Sequence, residues 1–446
     1  MKKENLTIED LGANGEGIAH SDGRTVFLPF ALPKERVTAT VVHEKKGIAF
    51  AELKEVLEAS IDRVTPRCPA FGVCGGCDLQ HMAYDAQLDM KRENLRRIFK
   101  KNGVDFSDVA PVVPSKPYEY RNKIQLPFGV DKGKIALGFF REGTHEIVPI
   151  AHCPLHGEWA EKLIRLTLEF FRERKTRVYT DKCRDGILRH LVARNLNGKL
   201  VVTLVVTKEH PDFERAYADV LQVEFPECVL YINVNRKANN VILGEKSYLV
   251  TADATAEIDG VKLKVNPHSF FQVNDDIRKR IYEDTVKLLR ASNATAVIDA
   301  YAGIGLLGTE LIKSGVRIYN IEIVPEATAD GKRLYADNGF SERASFYTGD
   351  AAVLLPKVLK EIPEKEKTAI VLDPPRKGIS EEVAETLIKL NQKDLTLIYI
   401  SCNPATLTRD LARLSASYKI ESVTPYDMFP NTRHMETLVV LSHKNQ

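Results

Sequence analysis

Residues 296–308 read AVIDAYAGIGLLG. An apolar run of strand length ends in an acid, Asp299, turns through Gly303 and Gly305, and continues past Gly308 into a leucine-rich stretch. The three glycines satisfy the pattern G-x-G-x-x-G, which permits a tight turn and close approach of backbone to a ligand. Downstream, the strand-like segments VRIYNIEI, ASFYTGDA, TAIVLDPP and LTLIYISCNP are each followed by a helical stretch, whereas KIESVTPYDMF and METLVVLSH close the chain with no helix between them. Strands alternating with helices of roughly 10–15 residues predict a doubly wound, mainly parallel α/β sheet, here with an antiparallel last strand. In such sheets ligands sit at the carboxyl ends of the strands, so the residues finishing each strand are the ones to weigh.

Upstream of residue 266 the rhythm differs. Residues 1–59 alternate short β-rich runs (RTVFLP, RVTATVV, IAFAELKEV) with glycine turns, the pattern of a small β-barrel. Residues 60–265 hold a cysteine-rich stretch, a helical pattern at 83–101, and then mostly strand-like runs broken by one helical pattern at 157–173, which reads as an antiparallel α+β domain. In the first helix Leu88, Leu95, Ile98 and Phe99 form an apolar stripe suited to packing on the last domain, a basic run lies opposite, and Gly103 is the expected stop. Residues 266–446 form the alternating domain.

At 446 residues, 44% hydrophobic and 28% charged, the chain holds enough apolar material for two or three cores, which excludes a disordered or fibrous protein. Its 63 basic and 61 acidic residues leave a net charge of +2, so a polyanion must be held by local patches. No apolar run approaches the roughly 18 residues of a membrane helix and the N-terminus lacks a signal-like apolar stretch, so a cytoplasmic, membrane-free monomer is expected. The seven cysteines are odd in number, with Cys68, Cys74 and Cys77 inside ten residues. That is a metal or cluster signature in a reducing compartment rather than a disulfide framework.

The strand ends carry the chemistry. Asp299 places a carboxylate beside the glycine turn, where it repels a pyrophosphate and suits an ammonium. Glu322, 19 residues beyond Gly303, is placed to accept hydrogen bonds from two ribose hydroxyls. Asp350 closes the third strand, at the usual position of an adenine. Asp373 is followed by two prolines, which fix it on a rigid turn facing the cleft. Cys402 stands at the tip of the fifth strand before Asn403-Pro404, where a helix N-terminus favours the thiolate. Glu436 begins the last strand and is carried toward Cys402 if that strand returns to the sheet centre. A methyl donor with an amino group and a sulfonium, an exposed nucleophile and a nearby acid suit methylation at a pyrimidine carbon. The competing reading, a nicotinamide-dependent oxidoreductase resting on the glycine pattern and Glu322, leaves Asp299, DPPR, SCNP and the cysteines without a use.

In their order and spacing, DxYAGxG, DPPRKG, SCNP and HxET resemble the RNA 5-methyluridine (uracil-C5) methyltransferases that use S-adenosylmethionine. HSFFQVN at 268–274, Tyr120-Arg121-Asn122-Lys123 and GILRH at 186–190 extend the resemblance over nearly the whole chain. It implies a class I methyltransferase sheet with a Rossmann-like winding, preceded by a TRAM, OB-like barrel. It also implies Cys402 as the nucleophile toward C6, Glu436 as the base at C5, and Gln272, Tyr301, Glu322 and Asp373 as contacts to the methyl donor, with Asp299, Gly303 and Asp350 lining its site. Cys68-x5-Cys74-x2-Cys77 with Cys153 resembles the four-cysteine set of the 23S ribosomal RNA members, implying a [4Fe–4S] cluster. Four thiolates alone suit zinc equally well. Ribosomal RNA is the implied substrate, transfer RNA the alternative. Cys183 and Cys228 remain as structural thiols.

Two basic tracts, Lys91 to Lys101 and Arg172 to Arg189, offer the local charge RNA requires, and Tyr118, Tyr120, Phe270 and Phe271 are candidate stacking groups. Residues 1–58 carry eight basic and ten acidic residues, so RNA contact by the barrel would rest on one face, around Lys45 and Lys46.

Overall fold

Successive side chains on the strand Ala296–Asp299 enter different cores: Val297 faces one cluster, while Ala296 and Ile298 face another. The same alternation holds for Val371 against Ile370 and for Ile398 against Leu397 and Tyr399, as it must in a sheet covered by helices on both faces. The computed structural model describes residues 3–180, 184–252, 254–390 and 395–444. The sheet order is Ala344–Thr348, Arg317–Glu322, Ala296–Asp299, Thr368–Leu372, Thr396–Ser401, Glu436–His443, Tyr418–Tyr426. The first five strands are parallel. Glu436–His443 inserts antiparallel between Thr396–Ser401 and the edge strand. This is the doubly wound class I methyltransferase sheet with a reversed strand.

Two further sheets precede it. A six-stranded sheet built from Lys3–Thr7 to Ile48–Glu58 curls around Leu6, Ile8, Val26, Leu28 and Val37, helped by three register shifts between Arg36–Lys45 and Ile48–Glu58. A seven-stranded, largely antiparallel sheet runs from Lys123–Asp131 to Lys246–Leu249, and one of its faces is packed by Glu158–Glu173 and Pro211–Glu224. The second of these helices departs from the sequence reading, which gave this stretch one helix. Pro211 starts it, and Phe213, Tyr217 and Leu221 form its short apolar stripe toward that core. Cys228 is buried there, as expected, while Cys183 lies outside the described residues. Among the described residues no helix is long and apolar enough to cross a membrane.

Helix Tyr84–Lys101 docks Leu95 and Phe99 into the core of the doubly wound sheet, and its basic run is only partly a free surface: Arg97, Lys100 and Lys101 are exposed, but Lys91 is not. Lys91 is fully buried, where it pairs with the equally buried Asp427 and donates to the Phe429 carbonyl at 3.2 Å. Arg92 caps the Val109 carbonyl, and Arg97 pairs with Asp10. Asp427 also accepts from Tyr84 Oη at 2.8 Å. Further along the same loop, Tyr120 Oη donates to the Pro430 carbonyl and Arg433 pairs with Asp78. Asn431, in the left-handed region at φ 65°, exchanges hydrogen bonds with Gln87 and holds the amides of Asp78 and Leu79. The loop 427–434 is therefore latched to the N-terminal half immediately before it delivers Glu436. Removing one partner of a buried pair strands the other charge at a cost of about 3–5 kcal/mol, whereas replacing both by apolar groups is close to neutral. Lys91→Met is expected to lower the melting temperature by several degrees, and Lys91→Met/Asp427→Leu to recover most of the loss; a single variant that melts like the parent would refute the latch.

Candidate active site

The glycine turn is shaped by its neighbours. Tyr335, from helix Pro325–Asp337, donates its hydroxyl to the Gly305 carbonyl at 2.8 Å, and a Cβ on Gly308 would lie 2.1 Å from that hydroxyl oxygen. Gly303, at φ 55°, has open space where a side chain would stand. Glu322 fixes the same turn: its two carboxylate oxygens accept from the Gly303 and Val324 amides, each at 2.8 Å. Each oxygen keeps lone pairs for other donors, so this bracing does not use up the carboxylate. Asp350 is exposed and caps helix Ala351–Glu361 through the Ala352 amide at 2.9 Å, although its charge reaches the half-buried Tyr301. Both acids therefore do structural work that their sequence positions did not show.

Deeper in the cleft the charges are uncompensated. Burial, then the neighbouring Asp373 and Glu322, push Asp299 up to about 7. Burial likewise pushes Asp373 up to about 7. The strand register pairs Ser401 with Thr437, so one step further Cys402 lies opposite Glu436. Glu436 is 3% exposed, its Oε2 has no hydrogen-bond partner, and burial and Asp373 raise it well above the usual carboxylate range. The Cys402 thiol is pushed up to about 11 by burial, Glu436 and Asp373, against the lowering influence of Arg376. This corrects the expectation that the following helix would favour the thiolate. Asn403 caps that helix, and burial together with the two neighbouring acids outweighs it.

Arg376, which sequence reading quoted within DPPR but gave no role, is an exposed cation whose field reaches Cys402, Glu436 and His434. Its carbonyl accepts from Asn403 Nδ2 and Thr406 Oγ1, each at 3.1 Å. Buried Asp410 accepts from the Ile379 amide and the Tyr399 hydroxyl, and a Cβ on Gly378 would come within 2.3 Å of it. The helix after Cys402 thus clamps the DPPRKG turn. The glycine four residues after the second aspartate-flanking position of that turn, Gly378, was the available signal. Gln272 sits on the loop before helix Asp275–Ala291. Asn122 Nδ2 donates to its carbonyl at 3.1 Å, and Arg194 holds the Ser269 carbonyl at 3.0 Å. On that loop Phe270 is 71% exposed, while Phe271 is buried.

Cys68, Cys74, Cys77 and Cys153 line one cavity of about 330 Å³ whose wall also includes Arg376, His434 and Tyr120. Gln80 joins two of them, accepting from the Cys68 amide and donating to Cys77 Sγ at 3.2 Å. Burial, with the neighbouring thiols adding to it, pushes Cys77 up to about 12 and Cys153 to about 11. Among the described residues no group of three or more His, Cys, Asp or Glu is arranged to hold a metal ion.

Residues 357–444 match the family described as tRNA (uracil-5-)-methyltransferase, and residues 2–54 match the TRAM domain. A protein of Halalkalibacterium halodurans named as an uncharacterized RNA methyltransferase is 38% identical over 99% of this chain and 97% of its own length. One from Listeria innocua with the same description is 34% identical over 98% and 97%. The crystal structure of Pyrococcus abyssi tRNA (uracil-54, C5)-methyltransferase in complex with S-adenosyl-L-homocysteine superposes with a TM-score of 0.76 at 27% identity, covering 98% of this chain and 99% of that one. With its reversed seventh strand, its N-terminal TRAM domain and relatives that match it end to end, this chain belongs to the RNA (uracil-5-)-methyltransferase family.

Proposed function

We propose that the protein transfers a methyl group from S-adenosylmethionine to C5 of uridine in RNA, through a covalent bond between Cys402 and C6. The observation that carries this reading is the juxtaposition of Cys402 with Glu436, a buried acid whose Oε2 has no partner. The acidic, phosphate-averse cleft supports the donor: Asp299, four residues before the open Gly303 turn, and its neighbour Asp373 are raised by burial, which fits a ligand bearing an ammonium and a sulfonium. A dinucleotide's pyrophosphate would meet repulsion there. Gln272, Tyr301 and Glu322, with Gly303 and Asp350, complete the donor site in this reading.

In the reaction Cys402 gives its proton to water, helped by Arg376 and by the positive charge of the bound donor, and its sulfur bonds to C6 of a uracil extruded from its stack. The C5=C6 electron pair moves onto the C4 carbonyl as an enolate. C5 then bonds to the donor methyl group, and the methyl–sulfur bond breaks. Glu436 removes the C5 proton, the double bond re-forms, and Cys402 leaves as the thiolate. Glu436→Gln should therefore accumulate a protein–RNA adduct through Cys402, visible by mass spectrometry, while Cys402→Ala should form none and lose roughly a thousandfold or more in rate. Turnover by Glu436→Gln at the parent rate would remove Glu436 from this role.

The four cysteines support the finer assignment to 23S ribosomal RNA, and the likeness to the Pyrococcus tRNA enzyme supports transfer RNA as the second reading. We assign the TRAM-like barrel to 1–59, the cysteine-bearing central domain to 60–265 and the catalytic domain to 266–446. Four thiols around one cavity fit a [4Fe–4S] cluster held by Cys68, Cys74, Cys77 and Cys153. Such a cluster would serve as a structural staple between the cysteine loop and the central sheet. Anaerobically purified protein is expected to contain about four iron and four acid-labile sulfide per chain; stoichiometric zinc without sulfide would overturn the assignment.

A further inference from the structure

The central sheet buries one face under its two helices, where Ile124, Leu126, Leu191 and Ala193 lie. The alternate residues point to the other face, and there the register sets Lys123 directly opposite Arg194 on the neighbouring antiparallel strand. Like charges in directly opposed positions destabilise a sheet, and these two sit in a partly dehydrated place where the repulsion is stronger than at a surface. Arg121 adds a third cation, donating from Nε to the Lys123 carbonyl at 3.2 Å. Among the described residues none of the three has a carboxylate partner. Arg194 donates only to the Ser269 and Phe271 carbonyls and stacks on the Phe271 ring at 5.1 Å, and the Lys123 ammonium makes no hydrogen bond. Burial, then the two guanidinium groups, push Lys123 down to about 8, as expected for a cation without a counter-charge. Asp275, the nearby acid, is already engaged by Asn122 and Arg278.

A protein keeps three converging cations without an acid at a cost in stability, and a bound anion removes that cost. The position says which anion. Asn122, between Arg121 and Lys123, hydrogen-bonds the Gln272 carbonyl and, through its own amide, the Val273 carbonyl, so the cluster adjoins the loop that carries exposed Phe270, and Arg121 lines the same cavity as Arg376, whose field reaches Cys402. We infer that Lys123, Arg121 and Arg194 form a phosphate site that grips the RNA backbone beside the extruded uridine. The inference rests on the RNA-methylating reading and deepens it by locating a backbone contact.

The test is Lys123→Gln, with Lys123→Arg as the conservative control. Binding of a short oligouridylate is measured across a salt series, together with binding of S-adenosylhomocysteine and the melting temperature of the unliganded protein. A lost phosphate contact should weaken RNA binding about tenfold at low salt and reduce the salt slope by about one, with Lys123→Arg restoring both. The unliganded Lys123→Gln protein should melt no lower than the parent, since a repulsion has been removed. Unchanged RNA affinity and slope would overturn the site, as would a melting temperature several degrees lower, which marks a structural cation. Loss of S-adenosylhomocysteine affinity with RNA binding intact would overturn it too, giving the cations to the donor's carboxylate. Failure of the parent protein to form 5-methyluridine would instead fail the functional reading, and the salt slope distinguishes the two.

Discussion

The ion pair between Lys91 and Asp427, taken wholly out of water, is the constraint on which the geometry of the site depends. The nucleophile and the buried acid come from different strands, and they meet only because the last strand runs antiparallel beside Thr396–Ser401 in one register. A slip of one residue would turn Glu436 to the opposite face of the sheet. The hydrogen bonds of the strand fix the register at one end, and the loop 427–434 fixes it at the other. That loop is held by Lys91, Tyr84, Gln87, Tyr120 and Asp78, none of which belongs to the catalytic sheet. The N-terminal half of the chain therefore holds the loop that delivers Glu436.

Electrostatics gives the cleft its second property. Asp299, Asp373 and Glu436 crowd together with Cys402, and Arg376 opposes the acids at Cys402 and Glu436. Without a ligand the least costly state keeps protons on these groups. In the proposed reaction a cationic methyl donor would shift the balance toward ionised carboxylates and toward the Cys402 thiolate. The central sheet shows the opposite imbalance, an excess of positive charge at Lys123. In the proposed reaction these two imbalances match the opposite charges to be brought together, a cationic donor and a polyanionic substrate.

Much of this was legible in the sequence because it is local. Acids and a thiol at strand tips, glycines in a turn and two prolines after Asp373 each act through their immediate neighbours, and the alternation of strands and helices placed them on one edge. What depended on distant partners was not legible. Lys91 reads as part of a solvated basic face, because its partner lies 336 residues away. Cys402 reads as a thiolate from the helix beside it, and the carboxylates that reverse this arrive from other strands. Glu322 looks like a ribose ligand alone, yet it also braces Gly303 across adjacent strands. Helix Pro211–Glu224 is hidden by the strongly β-branched runs on either side, which dominate a reading by periodicity.

The central claim is uridine C5 methylation through Cys402. Its most direct test incubates the purified protein with S-adenosylmethionine carrying a labelled methyl group and with either 23S ribosomal RNA or transfer RNA, then identifies the labelled nucleoside by mass spectrometry. The account predicts labelled 5-methyluridine in ribosomal RNA and none with the Cys402→Ala variant. Label on any other nucleoside, or 5-methyluridine formed by Cys402→Ala at the parent rate, would contradict it.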